Sequence, residues 1–268
     1  MRVQVGVNGF YKCSFLVLAA LILYASGSPP TLGQEQQVLR SDAEQLMALA
    51  NRARAEAGAP PLRWDNALAE AARKHTLRMS VEGAIEHRYP GELDVSERAN
   101  LAGAHFDLIE ENIALAATPE AIHDGWMHSK EHHDNLLNPQ VDRVGIAVVA
   151  KRGVLYATAD YARGVRALSN SQAEAQVADL IRPSGVKVRD DHSLARAACE
   201  MTNGFPNSAT GAEPGLVIRW QDSDLGHLPK ALVDNLASGS YHEAAVGSCD
   251  PKGVGATFTV YRVAVLLY

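Results

Sequence analysis

The chain of 268 residues is 47% hydrophobic and 21% charged, a composition that indicates one or two globular domains and excludes a wholly disordered or collagen-like chain. Its formal charge of −6, from 25 Lys and Arg against 31 Asp and Glu, provides no basic surface for many phosphates, so nucleic acid is not expected as a partner. The cysteine count of three is odd, which in an exported chain requires that one thiol pairs elsewhere, reacts or is removed.

The N-terminal residues have the layout of a signal peptide. Arg2 and Lys12 flank a polar start, an apolar run follows over 15–24, and small residues come next. Such a run spans only about 15 Å as a helix, half of a bilayer core, so a permanent transmembrane anchor is not expected. We predict a signal peptide over 1–27 that takes Cys13 with it, and a mature chain that is secreted or periplasmic.

Helix signals follow a segment rich in Pro, Gly and Gln over 28–40, which we interpret as a flexible linker. The capping box Ser41-Asp42-Ala43-Glu44 predicts a first helix over 42–57. Three further helices are predicted by their start and stop residues: from Asp65 to Gly83, from Thr118-Pro119 to His128, and from Ser129 to Leu137. No long period appears over 84–117, which predicts loops around a site.

Strand signals follow the helices. Val144, Ile146 and Val148 alternate, a turn follows at 151–153, and a second apolar run begins at Leu155, which predicts a β-hairpin. Helices followed by antiparallel strands indicate an α+β domain over 41–163.

The remaining residues, 164–268, repeat part of this pattern. Residues 62–72 align at an offset of 126 with residues 188–198, with six of the eleven positions identical. Val246-Gly247 and the apolar run after it resemble Val144-Gly145 and its hairpin. We therefore predict a smaller α+β domain that is a degenerate second copy of the first; chance similarity between alanine-rich helices is the alternative.

Histidines are concentrated in one stretch of the first copy. His123, His128, His132 and His133 lie within eleven residues. Neutral imidazole is the commonest metal ligand and the general base best matched to neutral pH, so this stretch is a candidate site. A solvated helical face rich in histidine is the alternative.

Six ordered motifs between residues 42 and 163 resemble the bacterial branch of the CAP superfamily, which includes cysteine-rich secretory proteins, antigen 5 and plant pathogenesis-related proteins. The motifs are Asn51-x-x-Arg54, Pro61-Leu62-x-Trp64-Asp65-x-x-Leu68-x-x-Ala71, Glu86-His87, Glu111-Asn112-Ile113-Ala114, Trp126-Met127-x-Ser129-x-x-His132-x-x-Asn135-Leu136-Leu137-Asn138-Pro139 and Val144-Gly145-x-Ala147. The resemblance implies an extracellular three-layer α-β-α sandwich, the CAP fold, with a cleft lined by histidines and acids.

The resemblance implies three cleft residues here: His87 and His132 match the family's two histidines, and Glu111 matches its acid. Two imidazoles and a carboxylate suit Zn²⁺ or another divalent metal with an open fourth position, and they could equally act as an acid/base pair without metal. Eukaryotic members carry a second glutamate where this chain has Ser129, so the four-residue set is incomplete. Glu110 is a candidate for the missing acid; an orientation into solvent is the alternative.

The residues are compatible with three hypotheses for function, one of which is a purely structural or partner-binding role carried by the second copy. We favour a binding or scaffold module at the cell envelope, able to hold a divalent metal, with a small molecule, lipid or envelope component as its partner. The alternative is a metal-dependent hydrolase that uses His87, Glu111 and His132, with Ser129 or a metal-bound water as the nucleophile. A weaker rival is the zinc-peptidase pattern H-x-x-E-H at 128–132, which requires one continuous helix there.

The two cysteines left after removal of the leader both lie in the second copy. An exported chain with two cysteines favours one disulfide, here Cys199–Cys249. Two reduced, buried thiols are the alternative.

Overall fold

A computed structural model describes residues 32–205, 213–253 and 257–268. The predicted signal peptide lies outside the described residues. Within the part of the chain that is described, no helix is both long enough and apolar enough to cross a bilayer. The structure is α+β, as predicted, and contains two four-stranded sheets, one in each half of the chain.

The first half, which ends near residue 163, is a three-layer α-β-α sandwich. Its sheet has the strand order β1-β3-β4-β2, in which β1 and β3 are parallel and the other pairs are antiparallel. In chain order, the elements are α1 (Leu32–Glu56), β1 (Arg63–Trp64), α2 (Asn66–Glu82), α3 (Val95–Leu101), β2 (Phe106–Ala116), α4 (Pro119–His128), α5 (Lys130–Leu137), β3 (Arg143–Lys151) and β4 (Val154–Gly164).

The two faces of this sheet bury different sets of side chains because successive strand residues point to opposite faces. On one face, Val144, Ile146 and Tyr161 pack with α1, α4 and α5 around the buried Trp126. On the other face lie α2 and α3, with Leu68 packed near Ala162. The cleft residues described below are on this second face.

Local sequence signals explain the ends of α2. Asp65 accepts hydrogen bonds from the first backbone N–H groups of the helix, and Gly83 ends it with a φ of 88° that favours glycine. The helix crosses the sheet closely at Gly145, where an added Cβ would lie 2.0 Å from the backbone nitrogen of Ala69. The predicted helix from Asp65 to Gly83 is thus confirmed, and Gly145 is required for its approach.

The first motif of the sequence holds α1 to the rest of the sandwich. Arg54 is fully buried and donates hydrogen bonds to four backbone carbonyl oxygens. Asn51 pairs with both backbone groups of Leu62. These residues are therefore structural, and they fix the segments that precede β1 and β3.

Two predicted loop regions contain regular structure. Helix α1 begins at Leu32, so residues 32–40 of the predicted linker are helical; this stretch has no Pro or Gly after Gly33 and is rich in Gln and Glu, which favour helix. The predicted loops over 84–117 include α3 and the eleven-residue β2. β2 lacks an apolar alternation because its central residues are the polar Glu110, Glu111 and Asn112.

The second half has the strand order β5-β7-β8-β6 with the same pattern of one parallel and two antiparallel pairs. Its elements are α6 (Asn170–Ile181), a short 3-10 turn (Arg182–Ser184), β5 (Lys187–Val188), α7 (Ser193–Glu200), β6 (Leu216–Asp222), α8 (Lys230–Ala237), β7 (Glu243–Cys249) and β8 (Tyr261–Leu267). The same topology agrees with the tandem copy, which remains a prediction.

The predicted disulfide forms in the second half. Cys199, at the end of α7, is bonded to Cys249, at the end of β7, with their Cα atoms 5.8 Å apart. Both residues are buried in a small cluster dominated by alanine. The bond therefore ties a short helix to its sheet where large apolar side chains are few.

The two halves are in contact through the start of β2. The rings of Phe106 and Phe258 meet edge to face at a centroid distance of 5.6 Å. The backbone N–H of Thr259 donates to the carbonyl oxygen of Phe106 at 2.7 Å. Backbone pairing plus an aromatic contact join the residues before β8 to the first sheet.

Candidate functional site

Glu111 is the centre of a buried polar cluster on the α2 face of the first sheet. It lies in the middle of β2, and its side chain is only 3% exposed. One carboxylate oxygen, Oε1, accepts a hydrogen bond from His87 Nδ1 at 2.8 Å, and the other, Oε2, accepts one from Arg98 Nη2. Both oxygens of the predicted cleft acid are thus engaged within the protein.

Helix α3 sets the position of His87. Asp94 and Glu97 form a capping box at the start of this helix. Arg98, one turn later, donates from Nη1 to the carbonyl oxygens of His87 and Leu93 at 3.2 and 2.9 Å. The loop that carries His87 is therefore fastened to the same guanidinium that binds Glu111.

His132 reaches the cluster from α5. The side chain of Asn112 donates to the backbone oxygen of His132 at 2.8 Å and accepts from Asn135 at 3.0 Å, which ties α5 to β2. The rings of His87 and His132 lie 6.5 Å apart between centroids. The structure therefore brings His87, Glu111 and His132 together from three separate segments of the sequence.

The environment moves the pKa values of the two imidazoles in opposite directions. The hydrogen bond that His87 donates to Glu111 is the main reason that the pKa of His87 is raised. Burial, followed by the neighbouring His87 charge, lowers the pKa of His132. A pair of groups whose pKa values are driven apart can supply one protonated donor and one neutral acceptor at the same pH.

Sequence reasoning missed two members of the cluster, Arg98 and Asp160. Asp160 faces Glu111 across the sheet and is completely buried, with neither carboxyl oxygen hydrogen-bonded to a described residue. Burial, and then the charge of Glu111, raise the pKa of Asp160 well above its usual range. The pattern Asp94-x-x-Glu97 could have revealed α3 and with it Arg98; no local signal marks Asp160.

The donor set does not fit a three-ligand metal site as it is arranged. The oxygens of Glu111 are committed to His87 and to the cation Arg98. Among residues 32–205, 213–253 and 257–268, no group of three His, Cys, Asp or Glu side chains is arranged to hold a metal ion. The commitment of Glu111 to His87 and Arg98 therefore supports no chemical step through Zn²⁺ at this cluster.

Other predicted candidates lie apart from this cluster. The side chain of Ser129 makes its hydrogen bond to Glu131, at 3.5 Å, and His128 bonds the backbone oxygen of Asp124. The backbone at Ser129 is extended, so α4 and α5 are separate helices and the H-x-x-E-H pattern lacks its continuous helix. Glu110 binds Asn138 at 2.9 Å on the opposite sheet face, which excludes it as the missing cleft acid.

The fold and the motifs agree with the comparisons to known proteins. Residues 47–161 match the family model "CAP: Cysteine-rich secretory protein family". The uncharacterised protein YkwD of Bacillus subtilis is 29% identical over 107 residues, which is 40% of this chain and 42% of that protein. The uncharacterised membrane protein YlbC of the same organism is 27% identical over 118 residues, or 43% of this chain and 34% of that protein.

A solved structure is also similar to part of this chain. An extracellular protein of Bacillus anthracis that contains an SCP domain is 29% identical, with a TM-score of 0.47, over 50% of this chain and 44% of that one. The matches to YkwD and YlbC span less than half of either protein. What is shared is one domain, and residues 47–161 of this chain form a CAP domain of the cysteine-rich secretory protein family.

Proposed function

We propose that this chain is an extracytoplasmic binding module and that its CAP cleft holds a hydroxyl group of a cell-envelope glycan between His87 and His132. One observation carries the proposal: the hydrogen-bonded series Arg98–Glu111–His87 fixes one imidazole beside a second imidazole. The predicted signal peptide, and the extracellular relative from Bacillus anthracis, support the location.

The arrangement suits a group that both donates and accepts hydrogen bonds. The His87 side chain is 57% exposed and donates from Nδ1 to Glu111, so Nε2 is free to face a ligand. Nε2 is a donor when the imidazole is protonated, the form that the raised pKa of His87 favours. His132, with its lowered pKa, is neutral and provides an acceptor. An oxygen at about 2.8 Å from a nitrogen of each ring fits a centroid separation of 6.5 Å.

Cosedimentation with purified peptidoglycan sacculi tests the proposal. The mature chain, from residue 28, is compared with the variants Glu111→Gln and His132→Ala. Glu111→Gln replaces the carboxylate that orients His87, and His132→Ala removes the proposed acceptor, so we expect at least tenfold weaker binding from either variant. The matched control is His128→Ala, since the side chain of His128 is 78% exposed and lies outside the cluster; it should bind like the wild type.

Two outcomes contradict the proposal. One is that the sacculi sediment without the wild-type chain, and the other is that all three variants bind to the same extent as the wild type. A parallel arm with phosphatidylcholine/phosphatidylglycerol vesicles decides the ligand class, because binding that requires His132 but occurs on vesicles alone assigns the cleft to a lipid and not to a glycan.

A Zn²⁺ titration tests the metal version of the cleft separately. Since both oxygens of Glu111 are occupied, we expect the wild type and His132→Ala to bind Zn²⁺ alike. Tighter binding by the wild type would show that Arg98 releases Glu111 to a metal, and would favour the metal-dependent hydrolase.

A further inference from the structure

The second sheet carries an arginine at the place that Glu111 occupies in the first. In the first sheet, Glu111 and Gly145 stand in one cross-strand row, where Gly145 admits α2. In the second sheet, Arg219 and Gly247 lie in the corresponding row. Gly247 allows α7 to approach the sheet closely, since a Cβ added at Gly247 would lie 2.2 Å from the backbone of α7. The two halves thus place opposite charges at equivalent positions.

A second arginine, Arg262, points to the same face. The residue of β8 that pairs with Arg219 lies two positions from Arg262. Arg219 and Arg262 are therefore diagonal neighbours on the sheet. Arg219 Nε donates to the carbonyl oxygen of Ala198 at 2.6 Å, and Arg262 Nη2 donates to that of Met201 at 2.8 Å. Both guanidinium groups therefore converge on the end of α7.

Helix capping accounts for only part of this arrangement. Arg262 is 7% exposed, and its Nη1 is fully buried with no hydrogen-bond partner among the described residues. A buried guanidinium nitrogen without a partner is costly, more so than a neutral group. The carbonyl oxygens of α7 leave this donor unexplained.

The local charge is also uncompensated. Within the described ranges, neither Arg219 nor Arg262 forms an ion pair with a carboxylate, and the nearby Glu200 is 3.7 Å from Lys252 instead. Burial, and then the charge of Arg262, lower the pKa of Arg219. Two partly desolvated cations side by side favour an anion as the missing partner.

We propose that Arg219 and Arg262 form a binding site for a small phosphate-type oxyanion, one of whose oxygens accepts the hydrogen of Arg262 Nη1. A guanidinium group suits this role because its planar donors match the oxygens of a phosphate. The site is independent of the histidine cleft, so either proposal can fail alone.

Calorimetry with inorganic phosphate at low ionic strength is the direct test. We expect saturable binding to the mature wild-type chain and at least a tenfold higher Kd for Arg219→Gln. The control is Arg182→Gln, which removes the same charge from an exposed residue of the same half that pairs with Asp179; it should leave the Kd unchanged. The lysine variant Arg219→Lys should be intermediate, because it keeps the charge but loses the planar donors.

Thermal unfolding with and without phosphate separates binding from capping. Phosphate should raise the Tm of the wild type but not that of Arg219→Gln. An equal Tm loss with and without phosphate would mean that Arg219 only caps α7, and would overturn the proposal, as would equal Kd values for Arg219→Gln and Arg182→Gln.

Phosphatidylglycerol vesicles form the second arm: Arg219-dependent binding to them, without binding to free phosphate, assigns the oxyanion to a lipid headgroup. No saturable binding in either arm rejects the site.

Discussion

The two halves of the molecule have one sheet topology and different chemistry. In both halves, a short strand that is parallel to its neighbour lies at one edge of the sheet. The last strand along the chain lies in the interior of each sheet. The first half inserts α3 and the His87 loop between its sheet-crossing helix and the next strand, and this insertion supplies Arg98 and His87 to the cluster. At the same place in the second half, the described residues 201–205 and 213–215 contain no helix. The polar site is therefore an addition to the shared framework, and the framework does not by itself specify a site.

The halves also differ in what stabilises them. Helix α2 has 17 residues with side-chain capping, whereas α7 has eight and no side-chain cap. The second half has a disulfide at the end of α7, and the CAP domain has no cysteine. The shorter helix buries less, and a covalent bond supplements it.

The largest difference between the halves should follow loss of the disulfide. The bond closes a loop of 50 residues, so the chain-entropy model predicts that Cys199→Ser lowers the free energy of unfolding of the second half by about 4 kcal/mol. Hydrogen exchange read by mass spectrometry resolves the two halves. Equal loss of protection in both halves would show that they unfold as one unit and would contradict the prediction that the second half is destabilised separately.

The two crossing glycines should be equally intolerant of a side chain. Gly145→Ala and Gly247→Ala each place a Cβ within 2.2 Å of helix backbone, and we expect each to cost about 3 kcal/mol, measured by urea unfolding. Gly125→Ala is the control: nothing lies within 4 Å of its added Cβ, and alanine in a helix should be stabilising. A mild effect at Gly247 alone would mean that α7 can shift where α2 cannot.

Side-chain capping by the N-cap residue of the sheet-crossing helix should matter in the first half and not in the second. Asp65→Ala removes the oxygen that accepts from Ala67 and Leu68 and should cost about 1 kcal/mol in chemical denaturation. Asp65→Asn keeps an acceptor and should cost less. His192, the N-cap residue of α7, makes no side-chain capping bond, so α7 has no equivalent bond to lose at that position. Equal stability of the alanine and asparagine variants would argue against the cap.

The smallest expected effect is electrostatic and belongs to the cleft. Glu111→Gln should lower the pKa of His87, because the hydrogen bond that His87 donates to the Glu111 carboxylate is the main cause of its elevation. A pKa raised by folding means that protonated His87 stabilises the fold at low pH and that this contribution is lost as the pH rises through the folded-state pKa.

The pKa of His87 can be followed by NMR titration of the imidazole protons. Glu110→Gln is the control, since Glu110 lies on the other face of the sheet and should leave the His87 pKa unchanged. If both variants shift the pKa alike, the cause is net charge and not the hydrogen bond.

The parts of the fold that sequence analysis predicted correctly are those with local rules. The Asp65 and Gly83 ends of α2, and the Thr118-Pro119 start of α4, depend on backbone groups within a few residues, and the structure confirms them. β2 was missed because its central residues serve the cleft on one face and Asn138 on the other, which removes the apolar alternation that marks a strand.

The candidate site was predictable only in part. His87, Glu111 and His132 came from the family resemblance, which carries spatial information that one sequence does not. Asp160 could not be found, because its significance arises from its position opposite Glu111 across the sheet, between residues that are distant in the chain. Arg98 was not predicted because it lies in α3, and the sequence analysis predicted a loop where this helix forms.

Strand β8 has a consequence for proteolysis. It pairs with both β7 and β6, and these two strands do not pair with each other in the observed order. Cleavage before Tyr261 that released β8 would expose an unpaired edge on each of its former neighbours. Such edges recruit strands from other molecules, so a single cleavage before Tyr261 would convert this half into a template for aggregation.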